Sequence, residues 1–481
     1  MSFSLIFRIQ GFLLLFLGIS MCLPSAVALC YREDALLSFL SAAVITILSG
    51  LCFILICPSS EKQITHREGF LIVSLGWIFA AFSGSLPFLF ENTFSSFSDT
   101  YFETVSGFTT TGATVISNIE ALPKSILFWR SMIQWLGGMG IILFSIAILP
   151  LLGIGGMQLY KAEVPGPVVE KLKPRIAETA KSLWKVYILL SLSETLLLLF
   201  GGMNLFDAVC HTFTTMATGG FSTRNNSIQS FQNPYIEVIL IVFMFAAGIN
   251  FSLHYRIFHG NIKSLWKNKE FVFYLSFLCI CILLLTFSVQ NTIYDNIFSS
   301  FRYTAFQATS IMTTTGYSTA NFDTWPLFSK FILLILMFVG ASAGSTGGGI
   351  KCIRILLILK MSYREIFYMV HPHAVASVKI GGRSIPENIL RGVSGFVILY
   401  LLIFISGSFA MSLCGLDFIT AISSVAASLG NIGPGLAGVG PYENYQFIPL
   451  AGKWILILMM LMGRLEIFTL LILFIPEFWK K

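Results

Sequence analysis

The chain has 481 residues, of which 56% are hydrophobic and 11% charged, and its mean hydropathy is +0.82. A soluble domain is nearer ~25% charged, so the composition excludes a soluble enzyme or binding module and leaves a polytopic membrane protein. The formal net charge of +7 matters less than where the charges lie.

A helix needs about 20 largely apolar residues to cross a bilayer. In chain order, spans are predicted near 8–29, 35–57, 70–90, 126–153, 186–202, 236–258, 272–289, 327–360, 392–413 and 453–478, the eighth broken in its middle. The first run has small residues after it, at Ser25 to Ala28, in the outline of a signal peptide. A second run, Leu36 to Cys57, follows at once and the basic region before the first is Arg8 alone. The pair therefore reads as a helical hairpin. Alternate connections (58–67, 157–185, 256–269, 351–391 and 480–481) carry 21 Lys and Arg, against 7 on the opposite side. The positive-inside rule then puts both termini in the cytoplasm, which ten spans allow. The basic segments need no nucleic acid to explain them. The nine cysteines are scattered, mostly inside apolar runs, and read as buried free thiols rather than disulfides or metal ligands.

Four polar, glycine-centred strings interrupt the apolar sequence: TTTGATV from Thr109, ATGGFST from Ala217, TTTGYST from Thr313 and the looser GNIGPG from Gly430. They align on Gly112, Gly220, Gly316 and Gly433, at intervals of 108, 96 and 117 residues. In the fourth string Gly430 competes as the aligned glycine. Asn431-Ile432-Gly433-Pro434 parallels Thr314-Thr315-Gly316-Tyr317, which favours Gly433. Each glycine follows a segment too short to span: 99–109, 207–217, 303–312 and 417–428. About 12 helical residues reach only ~18 Å of the ~30 Å hydrocarbon. Asp99, Asp207 and Asp417 suit helix N-caps. Each unit therefore reads as span, half-span helix, extended turn, span. Ordinary turns or packing glycines are the bland alternative for one such string, and a poor one for four in the same place.

Non-helical backbone at membrane depth needs protein or a water-filled cavity around it. Glycine permits positive φ, so successive carbonyls can turn the same way. The C-terminal end of each half-helix is the negative end of its dipole. Four such loops about one axis make a ring of carbonyl oxygens that can replace the water around a monovalent cation.

The strings Thr313–Thr319, Met216–Thr223 and Asn431–Gly435 resemble the pore loops of the Trk/Ktr/HKT potassium-transport superfamily, over roughly residues 65–480. The additional N-terminal hairpin is similar to the TrkH type rather than the shorter KtrB type. The resemblance implies an all-α polytopic fold of four helix–pore loop–helix repeats, a pseudo-tetrameric, potassium-channel-like pore. It also implies a homodimer in the bacterial inner membrane and a TrkA-type cytoplasmic regulatory subunit that binds a nucleotide (NAD or ATP). The unit boundaries are then 1–60 (hairpin), 61–156, 157–260 (connector and second repeat), 261–365 (third repeat with the broken span) and 366–481 (cytoplasmic hairpin and fourth repeat). The expected filter is Thr110, Thr111, Gly112 and Ala113; Thr218, Gly219, Gly220 and Phe221; Thr314, Thr315, Gly316 and Tyr317; Asn431, Ile432, Gly433 and Pro434. Potassium is the substrate and no cofactor is expected. The loops differ after each glycine, so looser coordination than in a symmetric channel is expected.

The broken eighth span holds GASAGSTGGGIK, Gly340 to Lys351, with five glycines and two serines in twelve residues. Each glycine costs a helix ~1 kcal/mol relative to alanine, so unwinding near mid-membrane is expected. Gly344 and Gly349 have the outer spacing of a P-loop, but Ile350 stands where that motif needs Lys and no strand precedes it. Packing glycines are one reading. The other is a gate below the filter, which the resemblance supports, made of Gly344, Ser345, Thr346, Gly347, Gly348, Gly349 and Lys351. Arg464 lies in the last predicted span. A charge at the bilayer centre costs about 2.5–3.5 kcal/mol on insertion scales, so it faces a cavity or a partner. An ion pair or snorkelling would satisfy it. The resemblance places a pore-facing Arg here, a cationic barrier bonded to the loop's carbonyls.

Segment 157–185, with three prolines, reads as a cytoplasmic connector with an interfacial helix. Gly381-Gly382 suggests a β-hairpin that either docks a partner or is simply a solvated loop. His371 and His373 lack further metal ligands, and the sequence holds no GxSxG, HExxH or hydrolytic carboxylate pair. The function expected is potassium uptake through a pore. A sodium- or proton-coupled symporter on the same scaffold is the alternative, and a phosphate-using membrane enzyme and a bare scaffold lie further off.

Overall fold

The computed structural model describes residues 1–58, 65–140 and 176–480. The later part of the fourth predicted span and most of the basic connector after it lie outside the described residues. Three helices open the chain: α1 (Phe3–Ser20), α2 (Cys22–Tyr31) and α3 (Ala35–Ile56). They form the expected hairpin. α1 and α3 lie backbone to backbone at Gly11 and Gly50, where a Cβ on Gly11 would come within 2.7 Å of the Gly50 carbonyl oxygen. Small residues allow this approach in a setting where apolar side chains gain little by leaving lipid.

α4 (His66–Phe90) starts in a capping box, with Thr65 and Glu68 satisfying each other's backbone N–H groups. Then the first short helix, α5 (Phe97–Phe108), leads to α6 (Lys124–Trp135). The same order repeats with α7 (Ile176–Phe200), the short α8 (Leu205–Met216), and α9 (Pro234–Ala247) followed by α10 (Phe251–Phe258). It repeats again with α11 (Lys269–Val289), the short α12 (Ile297–Met312), and α13 (Leu327–Val339) followed by α14 (Cys352–Val370). The last set is α15 (Glu387–Leu413), the short α16 (Phe418–Leu429) and α17 (Leu450–Arg464). Three short helices have 12 residues and α12 has 16. They are enclosed by the long ones: every residue from Thr100 to Phe108 in α5 is buried, polar ones included. Their hydroxyls bond back along the helix, as Thr104 Oγ1 does to the Thr100 carbonyl at 2.8 Å.

Among the described residues, six helical stretches are long and apolar enough to cross a membrane, and up to eight if each bent pair is one span. Three predicted spans are thus corrected. The span near 236–258 bends by 103° between α9 and α10, where Gly248 ends one helix and Asn250 caps the next. The last, near 453–478, is not continuous. The helix stops at Arg464, Glu466 and Ile467 take left-handed φ of 53° and 58°, and the chain turns by 112°. The fifth starts ten residues earlier than its apolar run, because α7 includes the polar turns from Ile176 onward. The break in the eighth is present between α13 and α14. Between α14 and α15, Lys379–Ile380 pairs antiparallel with Arg383–Ser384 across Gly381-Gly382, both at positive φ. This is the two-residue hairpin that the glycine pair predicts.

Candidate functional site

The four short helices end alike. The Thr111 N–H donates to the Ser106 carbonyl, Gly219 to Thr214, Thr315 to Ser310 and Ile432 to Ala427, at 2.8–2.9 Å. The residue before each donates one turn tighter, Thr110 to Gly107, Thr218 to Thr215, Thr314 to Ile311 and Asn431 to Ser428. This is a Schellman closure, which requires a left-handed residue just past the helix. Thr110, Thr218, Thr314 and Asn431 fill that place, with φ of 55°, 53°, 61° and 54°. Asparagine tolerates the left-handed region, but a β-branched residue there is an outlier, and such strain collects at functional sites. Two residues on, Gly112, Gly220, Gly316 and Gly433 return to positive φ, at 81°, 74°, 81° and 97°. Gly430 instead is right-handed, at φ −78°. The backbone register of the fourth string therefore runs through Gly433.

The caps differ from the aspartates expected in two of the four short helices. Ser96 and Asn204 cap α5 and α8, so Asp99 and Asp207 sit three residues inside and are not the caps. Asp417 is itself the cap of α16. Measured from the cap, Gly112, Gly220 and Gly433 all lie 16 residues on. α12 is capped by Asn296 and has one further turn, which puts Gly316 at 20.

The loops meet in cyclic order. A Cβ on Gly112 would strike the Gly219 carbonyl oxygen, one on Gly220 that of Thr315, one on Gly316 that of Ile432, and one on Gly433 that of Thr111. Each glycine thus lies against the carbonyl just before the next glycine, and the fourth loop returns to the first. Side chains brace this ring from outside. Ser106 and Ser310 donate to the Ala113 and Tyr317 carbonyls at 2.6 and 2.7 Å. Gln134 of α6 donates to the Gly219 carbonyl (2.7 Å) and accepts from the Phe221 N–H (3.1 Å). Asn431 donates to Thr111 Oγ1 (2.9 Å) and to the Met460 carbonyl (3.0 Å). Tyr445 donates to the Gly433 carbonyl at 2.6 Å, and Tyr317 to the His211 carbonyl at 3.0 Å. Glu103 accepts from Arg130, Thr114 and the Val115 N–H, and the Arg130 guanidinium lies over the Phe221 ring. Of these supports, Glu103 and Arg130 carried a sequence signal, being charges inside apolar surroundings. Gln134 and Tyr445 carried none.

The strip between α13 and α14 is folded back on itself. The Ile350 and Lys351 N–H groups donate to the Phe338 and Val339 carbonyls, both at 3.0 Å. Its tip lies against the ring's supports. Thr346 Oγ1 donates to the Met216 carbonyl (3.1 Å) at the end of α8, and the Gly348 N–H donates to Thr314 Oγ1 (2.8 Å). Gly344 accepts from the Phe251 N–H at 3.0 Å. Arg464 donates to the Thr346 carbonyl (2.9 Å) and to those of Gly137 (2.5 Å) and Gly138 (2.7 Å). The latter two follow α6 in a π-helical turn, Leu136–Gly140. Lys351 turns the other way and pairs with Glu466 at 2.9 Å, as does Arg354. Arg464 therefore belongs to the loop, and its near neighbour Glu466 to the helix that follows it. A phosphate cradle does not fit, because the strip's Lys351 is already engaged.

The family profile described as "TrkH: Cation transport protein" matches residues 37–481. The chain belongs to the TrkH cation-transport family. It is 45% identical to the Trk system potassium uptake protein TrkH of Salmonella typhimurium, covering all of both chains. It is 36% identical to TrkG of Escherichia coli over 98% of this chain and 97% of that one. The crystal structure of the potassium transporter TrkH from Vibrio parahaemolyticus superposes with a TM-score of 0.90 at 40% identity, covering 100% of each chain. TrkH membership makes this a multi-pass membrane transport protein, not an enzyme.

Proposed function

We propose that the chain is the transmembrane pore-forming subunit of a potassium uptake system, with the four loops as its selectivity filter. One observation carries the reading: the loops close in cyclic order with the same alternation of left-handed residues. Carbonyls of these loops that face the common axis, rather than the bracing side chains outside it, stand in for a cation's water. The filter backbone is Thr110 to Ala113, Thr218 to Phe221, Thr314 to Tyr317 and Asn431 to Pro434. Beneath it, residues 344–349 with Lys351 at their base form the gate, and Arg464 is its cationic barrier on the cytoplasmic side. The relatives named Trk system potassium uptake proteins support potassium as the ion. The chain works as a homodimer in the bacterial inner membrane with both termini inside, under a TrkA-type subunit that binds a nucleotide.

The experiment is potassium-limited growth of a bacterium without its own uptake systems, with a TrkA-type partner supplied. Wild type is compared with Gly316→Ser, both checked for membrane insertion. A side chain at Gly316 strikes the Ile432 carbonyl, so the variant should need more potassium or lose discrimination against sodium. Equal rescue with equal ion preference would reduce TTTGYST to a turn. A reversal potential that moves with pH or sodium would instead favour coupled symport.

A further inference from the structure

We propose that Glu270 is a positioning residue, a clamp that holds the base of the intramembrane loop in its blocking state. This rests on the reading of that loop as a gate. Glu270 lies in the first turn of α11, behind the cap Asn268, and is 7% exposed. Its Oε1 accepts from the Ala343 N–H at 2.7 Å and from the Ile353 N–H at 3.2 Å. Ala343 directly precedes Gly344, and Ile353 follows Lys351 and Cys352. A single carboxylate oxygen therefore joins the two ends of the glycine-rich strip to a third element.

The chemistry suits that task. The Ile353 N–H belongs to the first turn of α14, where backbone donors lack an intrahelical partner and the dipole favours an anion. Hydrogen bonds to an ionised acceptor are roughly twice as strong as neutral ones. Lys351 and Arg354 lie close enough to act on the same carboxylate, while both pair with Glu466. The tip is restrained separately, through Thr346, Gly348 and Arg464. The tip is thus held separately from the base, where Glu270 acts beside the backbone bonds of Gly344, Ile350 and Lys351. A strip that contains Gly347-Gly348-Gly349 has little stiffness of its own, so losing the base hold shifts it toward its open arrangement. Glu270 touches no ion and acts through the loop.

The test uses the full-length protein in proteoliposomes, with radioactive rubidium uptake driven by a potassium gradient. Three variants are compared with wild type: E270A, E270Q and a deletion of Gly347 to Gly349. Monodisperse protein after extraction is required of each. The deletion and E270A are expected to raise flux several-fold. E270Q keeps an acceptor oxygen in the same place but loses the charge, so its flux should fall between wild type and E270A. If E270A fails to insert, Glu270→Asp carries the test, because its shorter side chain withdraws the oxygen and should also raise flux. Wild-type or lower flux in E270A, with raised flux in the deletion, overturns the clamp alone. Flux in E270Q equal to a raised E270A also overturns it, since the amide oxygen still accepts both N–H groups. Unchanged flux in the deletion overturns the gate reading, and the clamp with it.

Discussion

Glu103 and Arg130 are both sealed from solvent, at 0% and 1% side-chain exposure, and lie 2.7 Å apart. The carboxylate also takes the Thr114 hydroxyl and the Val115 N–H, so its lone pairs are well used. Removing one partner leaves a buried charge alone, at a cost of about 3–5 kcal/mol, whereas replacing both by apolar groups of similar size is often neutral. Glu103→Gln is therefore expected to lower the apparent melting temperature in detergent, and Arg130→Met to lower it by more. The double variant should recover most of the loss, as measured by thermal unfolding followed by size-exclusion chromatography. Full additivity of the two single losses would show that the pair is not coupled. At this scale the sequence was informative wherever a residue type is forced. The glycines were legible because positive φ excludes most side chains. Asp99 and Asp207 misled because a carboxylate in the first turn and a cap are both favourable there. Only the Ser96 and Asn204 bonds separate the two.

The elements that matter are the ones that stop early. α17 ends at Arg464, where a basic residue complements the negative end of the helix. Its guanidinium then joins the loop tip to the carbonyls that follow α6. Arg464→Ala removes these bonds together with the charge proposed as the barrier. It is expected to raise rubidium flux in proteoliposomes several-fold above wild type. Arg464→Lys should fall between the two, because an ammonium carries the charge without the guanidinium's fixed fork. Flux at or below wild type in both variants would remove Arg464 from the gate. The break in the eighth span was legible, because a glycine triplet cannot hold a helix in lipid. The turn after Arg464 was not. The string LMGRLEIFTLL is apolar throughout apart from its two charges, and hydropathy cannot distinguish a straight span from one that turns 112°. Left-handed φ at Glu466 and Ile467 follows from packing and ion pairing, which no local pattern encodes.

For the whole molecule, the repeated order of long and short helices was legible from the spacing of four glycines, and the cyclic closure of the loops was not. Closure depends on contacts between residues hundreds apart in sequence, such as Asn431 with Thr111. The N-terminal hairpin is tied to the first repeat by similarly distant bonds. Glu33 accepts from the Lys124 and Ser125 N–H groups at the start of α6, at 2.7 and 3.0 Å, and so caps that helix from outside. The hairpin is thereby fixed to the side of α6 that carries few basic residues. The orientation proposed for the chain rests on the same asymmetry. Segment 351–391 alone holds 7 Lys and Arg, and the tip Gly381-Gly382 stands free of neighbouring atoms. An epitope inserted between those glycines is expected to bind antibody only after the inner membrane of spheroplasts is permeabilised. One inserted between Asn291 and Thr292, exposed residues in the turn between α11 and α12, should bind antibody on intact spheroplasts. Both tagged proteins must still support growth on low potassium, so that the accessible fold is the working one. The reversed pattern would place the N-terminal ends of the four short helices, and with them the outer mouth of the ring, in the cytoplasm. An ion moving inward would then meet the loop and Arg464 before the glycines, and a filter guarded from its own entrance is incompatible with the uptake direction proposed for this chain.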